Sequence, residues 1–241
     1  MIFMDTNTRL EAINKWLSLF GQPMVIGLED ISLQWFSPNT GLGVDALVNI
    51  NESNTIWLFY TPNGNYWRMN YVGQKLSGIR SKKNADGYVA SFYVDIDLKE
   101  TKFPNMEELL DDILEIIKVQ HLPVSYIVQS WGGYHLYFFV DINDRKDVAK
   151  VYDKMQLGLC AIFGYADTTN KTIERVIRLP FSYHWKTGRA IPVRLFTYNP
   201  MDGLEEVKSV EDITEPVTTY NLQAINAITD NVKLAESALP G

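Results

Sequence analysis

The segment that most constrains this chain runs Tyr88-Val89-Ala90-Ser91-Phe92-Tyr93-Val94-Asp95-Ile96-Asp97-Leu98. Side chains alternate between the two faces of a pleated strand. Phe92, Val94, Ile96 and Leu98 therefore share one face, and Ser91, Tyr93, Asp95 and Asp97 the other. The apolar face demands a core, so both carboxylates project together from a strand that enters the interior. Two unpaired negative charges there are costly unless a cation neutralises them. Hard oxygen ligands two residues apart are within reach of one divalent ion. Aspartates at strand ends are also common on plain surfaces, so this pair acquires chemical meaning only from what surrounds it.

The surroundings alternate helix and strand. Asn105 is placed to cap a helix over 105–119, with Glu108 in the capping-box position and Leu109, Leu110, Ile113, Ile116 and Ile117 as its buried stripe. Strands at 125–129 and 135–140 follow, joined by the glycine turn Ser130-Trp131-Gly132-Gly133-Tyr134 as antiparallel neighbours. A helix over 145–163 and strands near 175–179 and 193–198 complete a mixed α/β plan. Upstream, 9–20 has helical spacing and 50–60 strand-like content. With 241 residues, 46% of them hydrophobic, and no repeat or long linker, one compact unit to about residue 200 is expected. Beyond it lies an acidic extension, 201–241, with a helical pattern over 220–238.

Charge is polarised along the chain. The net charge of −7 disfavours indiscriminate nucleic-acid binding. Yet 61–85 holds five basic residues, Arg68, Lys75, Arg80, Lys82 and Lys83, and no acidic one, with Tyr66, Trp67 and Tyr71 interleaved. Such a stretch suits tracking phosphates and stacking on unpaired bases; a solvated face explains it equally well. From 171 to 194, six basic residues face only Glu174. There Arg175-Val176-Ile177-Arg178 runs through Leu179 and Pro180 into Phe181-Ser182-Tyr183-His184-Trp185-Lys186, a concentration of hydroxyl, imidazole and ammonium donors biased toward phosphate. The glycine turn, which leads into His135, can also hold an anionic oxygen; taken alone, a histidine heading a strand is as readily structural.

These blocks, in this order and over about 85–190, resemble the motifs of archaeo-eukaryotic primases, especially the primase-polymerases of plasmids, phages and other mobile elements. Those motifs are an aspartate pair on a strand, a serine-glycine turn ending in histidine, and a later carboxylate followed by an arginine-rich strand and a P-G-T-x-N-x-K-like loop. The resemblance implies an α/β (α+β) archaeo-eukaryotic primase fold: an RRM-like, mixed or antiparallel sheet in a catalytic lobe (about 86–200), packed with an N-terminal α/β lobe (about 1–85). It implies that Asp95, Asp97 and Asp167 hold two catalytic Mg²⁺ or Mn²⁺ ions, with Glu174 competing for the third place. Ser130 and His135 would contact the triphosphate of the incoming nucleotide, and Arg178, Ser182 and Lys186 would complete the grip. Partners would be nucleoside triphosphates, a single-stranded DNA template or primer-template held by Arg68, Lys75, Arg80, Lys82 and Lys83, and a helicase or C-terminal domain absent from this chain. The chain departs from the family loop at Phe181, Ser182 and His184, where glycine, threonine and asparagine are usual. It also lacks the zinc module of many relatives, since one cysteine and three histidines cannot build one, so no zinc is expected.

Two other readings compete. A nucleotide-sugar glycosyltransferase also uses D-x-D to hold a metal and a diphosphate, but leaves the glycine-histidine turn and the arginine block without a role. A non-catalytic replication initiator or single-strand binder fits the basic segments but not the carboxylates. No stretch approaches the roughly 20 apolar residues of a membrane helix, and the start lacks a signal peptide, so a cytoplasmic protein with no membrane partner is expected. Cys160, the only cysteine, lies in the apolar run Met155-Gln156-Leu157-Gly158-Leu159-Cys160-Ala161-Ile162-Phe163 and is expected to be a buried packing residue.

Overall fold

A computed structural model describes residues 4–20, 23, 25–30, 33–37, 43–53, 56–63, 88–169, 172–173, 175–186, 188–216, 219–221, 223–224, 226–227 and 230. The basic, aromatic stretch with Arg68, Lys75, Arg80, Lys82 and Lys83 lies outside these residues, as does Glu174. The elements run α1 (Thr6–Ser18), β1 (Val25–Asp30), β2 (Leu33–Ser37), α2 (Val44–Ser53), β3 (Trp57–Tyr60), β4 (Ser91–Asp97), α3 (Met106–Val119), β5 (Tyr126–Gln129), β6 (Gly133–Phe139), α4 (Tyr152–Phe163), β7 (Ile177–Arg178), β8 (Tyr183–Lys186), β9 (Arg189–Pro192), β10 (Arg194–Asn199) and β11 (Gly203–Glu206). The fold is mixed α/β, with antiparallel sheets in the orders β2-β1-β3-β7 and β11-β10-β5-β6-β4, and a β8-β9 hairpin. No helix among the described residues is long and apolar enough to cross a membrane.

The five-stranded sheet is covered on both faces, which is why its strands are so apolar. Phe92, Val94 and Ile96 of β4 and Leu136 and Phe138 of β6 pack with Leu109, Ile113 and Ile117 of α3 and with Met155 and Leu159 of α4. Tyr93, Tyr126, Tyr137 and Phe139 on the opposite face join Trp16 of α1 and Leu58 and Tyr60 of β3 in a second core. Trp16 meets Phe20, Tyr126 and Tyr137 edge-on, with centroids 5.0, 5.2 and 5.1 Å away, and the Tyr60 and Tyr137 hydroxyls are 2.7 Å apart. The alternation read at 88–98 thus reports two cores, one for each side of β4.

As the outermost strand of its sheet, β4 would leave main-chain groups unpaired on its free side. Side chains close that edge. Asn63 accepts from the Ala90 and Ser91 N–H groups at 2.8 and 3.1 Å and donates to the Ser91 carbonyl at 2.8 Å. Gln156 of α4 accepts from the Tyr93 N–H at 3.3 Å and donates to the Tyr93 carbonyl. The Asp167 N–H donates to the Asp95 carbonyl at 2.9 Å.

The helix expected at 105–119 forms as α3, with Asn105 accepting from the Glu108 N–H at 2.9 Å. The one expected over 145–163 starts later, at Tyr152. Arg145 is buried instead: its carbonyl accepts from the Val89 N–H, and its guanidinium donates to the Val140 carbonyl and the Tyr88 hydroxyl. Residues 50–53 end α2 rather than open a strand, because buried Asn51 turns the chain by donating to the Ile56 carbonyl at 2.7 Å. In the acidic extension, β11 adds to the five-stranded sheet and Tyr220 bridges to Val140. Cys160 is buried in α4, its thiol pushed up to about 12, first by burial and then by the Asp167 and Asp95 charges.

Candidate active site

Asp95 and Asp97 are half-buried between fully buried neighbours on β4, and the β4–β6 register sets Asp95 opposite His135 and Asp97 opposite Gly133. A Cβ on Gly133 would lie 2.1 Å from the Ile96 carbonyl oxygen, so only glycine admits this approach of the two strands. The turn before it is clamped to the end of β4. The Ser130 N–H donates to the Gly133 carbonyl at 2.9 Å, and the Leu98 N–H to the Gly132 carbonyl at 2.8 Å. The Ser130 hydroxyl donates to the Gly133 carbonyl at 3.3 Å.

A cleft of about 720 Å³ opens over these residues. The five-stranded sheet and its loops contribute Asp95, Asp97, Lys99, Ser130, Trp131 and His135; the other sheet and the β8-β9 hairpin contribute Phe59, Ile177, Arg178 and His184. Pairing of β3 with β7 sets Arg178 opposite Phe59, and the guanidinium lies over that ring, 4.3 Å from its centroid. Arg178 Nη2 is 3.5 Å from His184 Nε2. Burial lowers the Arg178 pKa to about 10, against the pull of the Asp95 charge, so the group stays cationic at neutral pH.

His135 Nε2 lies 3.5 Å from Asp95 Oδ1. Burial, reinforced by the Arg178 charge and opposed by Asp97, holds the imidazole down to about 3, so the ring is neutral and the contact with Asp95 is not an ion pair. His135 Nδ1 and Arg178 Nη1 are buried with no hydrogen-bond partner among the described residues. Orphaned polar atoms of this kind are rare in folded proteins, and here both belong to residues of one cleft. An anionic oxygen would satisfy Arg178, and a hydroxyl or water proton would satisfy a neutral His135.

Of the residues singled out in the sequence, the cleft gathers Asp95, Asp97, Ser130, His135 and Arg178. Asp167 sits beside β4 through its N–H, while its carboxylate accepts from the Thr169 N–H at 2.8 Å and hydroxyl at 2.9 Å. Ser182 is fully buried, donates to the Leu179 carbonyl at 2.6 Å and does not line the cleft. Lys186 ends β8, and its side chain lies outside the described residues. Phe181, standing where the family has glycine, adopts φ 61° with its ring buried in the core. The backbone keeps a glycine-like conformation, and burial of the ring offsets the strain.

Lys99 was not singled out: β4 ends at Asp97, and a 3-10 turn, Leu98–Glu100, brings Lys99 back to it. Its ammonium lies 3.3 Å from Asp97 Oδ2, and that carboxylate raises its pKa. Phe59 carried no local signal, since its place in the cleft depends on strand pairing distant in sequence; His184, read in the donor-rich loop, reaches the cleft from β8.

The fold resembles that of a solved primase. Among solved structures the chain is similar to primase RepB′, with a TM-score of 0.50 and 13% identity over 95% of this chain and 65% of that one. It is also similar to the catalytic domain of primase RepB′ in complex with initiator DNA, with a TM-score of 0.49 and 14% identity over 97% of this chain and 100% of that one. The chain thus spans somewhat less than two thirds of the first of these. No family model matches the sequence, and no curated protein matches it.

Proposed function

We propose that this chain is the catalytic domain of a primase-polymerase, joining nucleoside triphosphates on a DNA template in the replication of a mobile element. The observation that carries this reading is one cleft holding two adjacent carboxylates, a clamped serine-glycine turn, a buried neutral histidine and a buried arginine.

The donor set suits Mg²⁺ or Mn²⁺. Asp95 and Asp97 offer hard oxygens from one strand face, and a lysine ammonium already lies against Asp97. No group of three or more His, Cys, Asp or Glu side chains placed to hold an ion occurs among the described residues. One or two carboxylates completed by substrate phosphates and water is the usual way magnesium is held at nucleotide sites. When bound, two divalent ions would supply charge stabilisation at the attacking and departing oxygens.

The chain's own residues do the rest. Asp95 and Asp97 fix where the α-phosphate can sit relative to a primer 3′-hydroxyl. Arg178 places a desolvated positive charge on the phosphate side, where it strengthens as pyrophosphate departs. His135, kept neutral by burial, orients the triphosphate through a water or hydroxyl proton at Nδ1 and adds no charge. Gly133 and the Ser130 turn hold these groups in register. Asp167 is the third carboxylate in this reading, reaching the pair by giving up Thr169, with Glu174 as its competitor. Ser182 serves the grip by fixing the turn that follows Arg178, and Lys186 extends the basic wall. Arg68, Lys75, Arg80, Lys82 and Lys83 are assigned to the template path, and a helicase partner to a domain outside this chain.

The test is thermal stabilisation with Mn²⁺ present. Nucleoside triphosphates should raise Tm and UDP-sugars should not; the reverse pattern would establish the glycosyltransferase reading instead.

A further inference from the structure

The outer face of β3 carries two large rings that belong to neither hydrophobic core. Leu58 and Tyr60 point inward and are fully buried, whereas Phe59 is half-buried and Trp57 is 41% exposed, two residues apart on the opposite face. What lies over these rings is a cation. Pairing with β7 sets Arg178 opposite Phe59, and the guanidinium carbon is 4.3 Å from the Phe59 centroid and 5.6 Å from that of Trp57. Both distances fall within the roughly 6 Å over which an aromatic face attracts a cation. The bracket is itself anchored. Trp57 Nε1 donates to the Trp185 carbonyl at 2.8 Å, and the indole meets His184 edge-on with centroids 6.1 Å apart. His184 Nε2 in turn lies 3.5 Å from Arg178 Nη2.

Rings hold an arginine differently from a carboxylate. A carboxylate fixes the guanidinium and neutralises it, whereas stacking fixes the plane of the group and leaves its charge for an anion in the cleft that Phe59 and Arg178 both line. A long side chain restrained before its ligand arrives also loses less rotamer freedom on binding.

We infer that Phe59 and Trp57 are the positioning residues of Arg178, an aromatic bracket that holds its guanidinium ready for the phosphates of the bound nucleoside triphosphate; the inference rests on the nucleotide-binding reading above. The rings act through the arginine, so their effect on the ligand exists only while Arg178 is present.

The experiment is equilibrium binding, in Mn²⁺, of a nucleoside triphosphate and of inorganic tripolyphosphate to the full chain. Phe59→Leu, Phe59→Tyr and Trp57→Leu are each made with Arg178 intact and with Arg178→Ala; leucine keeps apolar bulk and removes the π-face. With Arg178 intact, Phe59→Leu should weaken both ligands about tenfold and Trp57→Leu, whose ring is farther from the cation, about threefold, while Phe59→Tyr stays within about twofold of wild type. In the Arg178→Ala background the same substitutions should change binding no further, the coupling expected of residues that act through one another. Unchanged binding by Phe59→Leu with Arg178 intact overturns the inference. So does a loss of equal size in both backgrounds, which would make the ring a contact of the nucleotide or a support of the fold. If Phe59→Leu does not fold, Trp57→Leu, at an exposed position, decides by the same comparison. A wild type that binds both ligands but is insensitive to either ring overturns the bracket alone; one that binds neither overturns the nucleotide reading with it.

Discussion

The two walls of the cleft are built in opposite ways. The carboxylate wall is local: Asp95, Asp97, Gly133 and His135 sit on two antiparallel neighbours whose register is fixed by a short turn and by a glycine that nothing larger can replace. The basic wall is assembled from distant segments, with Arg178 on a two-residue strand paired to β3, laid over Phe59 and beside His184. Short-range geometry therefore holds the groups that must be placed most accurately, and long-range packing positions the charge that only has to be near. Damage to the first wall should stop the reaction, whereas damage to the second should loosen the substrate.

That contrast can be broken at several points. Asp95→Asn should lower kcat by about a thousandfold or more, the scale of losing directed electrostatic stabilisation of the transition state, with the unfolding midpoint unchanged within error. Arg178→Ala should instead raise the nucleotide KM by about ten- to a hundredfold, as expected for losing a charge-assisted contact of about 1.5–3 kcal/mol, with a smaller effect on kcat. Steady-state kinetics on both variants would refute the division if the two profiles came out alike.

The support beneath the first wall is tested by Gln156→Leu. It strips the hydrogen bonds from the Tyr93 N–H and carbonyl and should cost about 3 kcal/mol in urea unfolding, the scale of leaving two buried polar groups unsatisfied. Ser182→Ala, in the turn behind the second wall, loses one buried bond to the Leu179 carbonyl and should cost about 1 kcal/mol. If Ser182→Ala raised the nucleotide KM tenfold at unchanged stability, Ser182 would be a direct phosphate contact.

The smallest effect lies away from both walls. The Glu206 carboxyl is held below its usual 4.5 by its hydrogen bonds to Arg194, at 2.6 and 2.5 Å. A depressed carboxyl stabilises the fold above its unfolded value and loses that contribution as pH falls through the folded one. Glu206→Gln should therefore be less stable than wild type by about 0.5–1 kcal/mol at pH 7, with the gap closing below about pH 4.5 in paired thermal melts.

The same contrast explains what could be read from the sequence. Strand alternation at 88–98, the capping pair Asn105 and Glu108, and the glycine turn are local signals, and each element formed where it was expected. The α-helix expected from 145 starts only at Tyr152, after a 3-10 turn at Val148–Lys150, because Arg145 is drawn into contacts with Val89, Val140 and Tyr88, which no periodicity encodes. Arg178 was recognisable by type, but its place over Phe59 depends on a pairing across more than a hundred residues. Ser182 looked like a phosphate donor because a hydroxyl after proline in a basic loop often is one; the left-handed Phe181 before it buries the hydroxyl against Leu179. Lys99 was not legible, since the strand that carries Asp95 and Asp97 stops at Asp97 and a 3-10 turn, Leu98–Glu100, swings Lys99 back against it.

The most direct test is extension of a labelled primer on a single-stranded template with Mn²⁺ or Mg²⁺, comparing wild type with the Asp95→Asn, Asp97→Asn double variant. Template-directed extension by wild type, lost in a double variant that melts at the same temperature, is the predicted result. Extension at full rate by a folded double variant would contradict it.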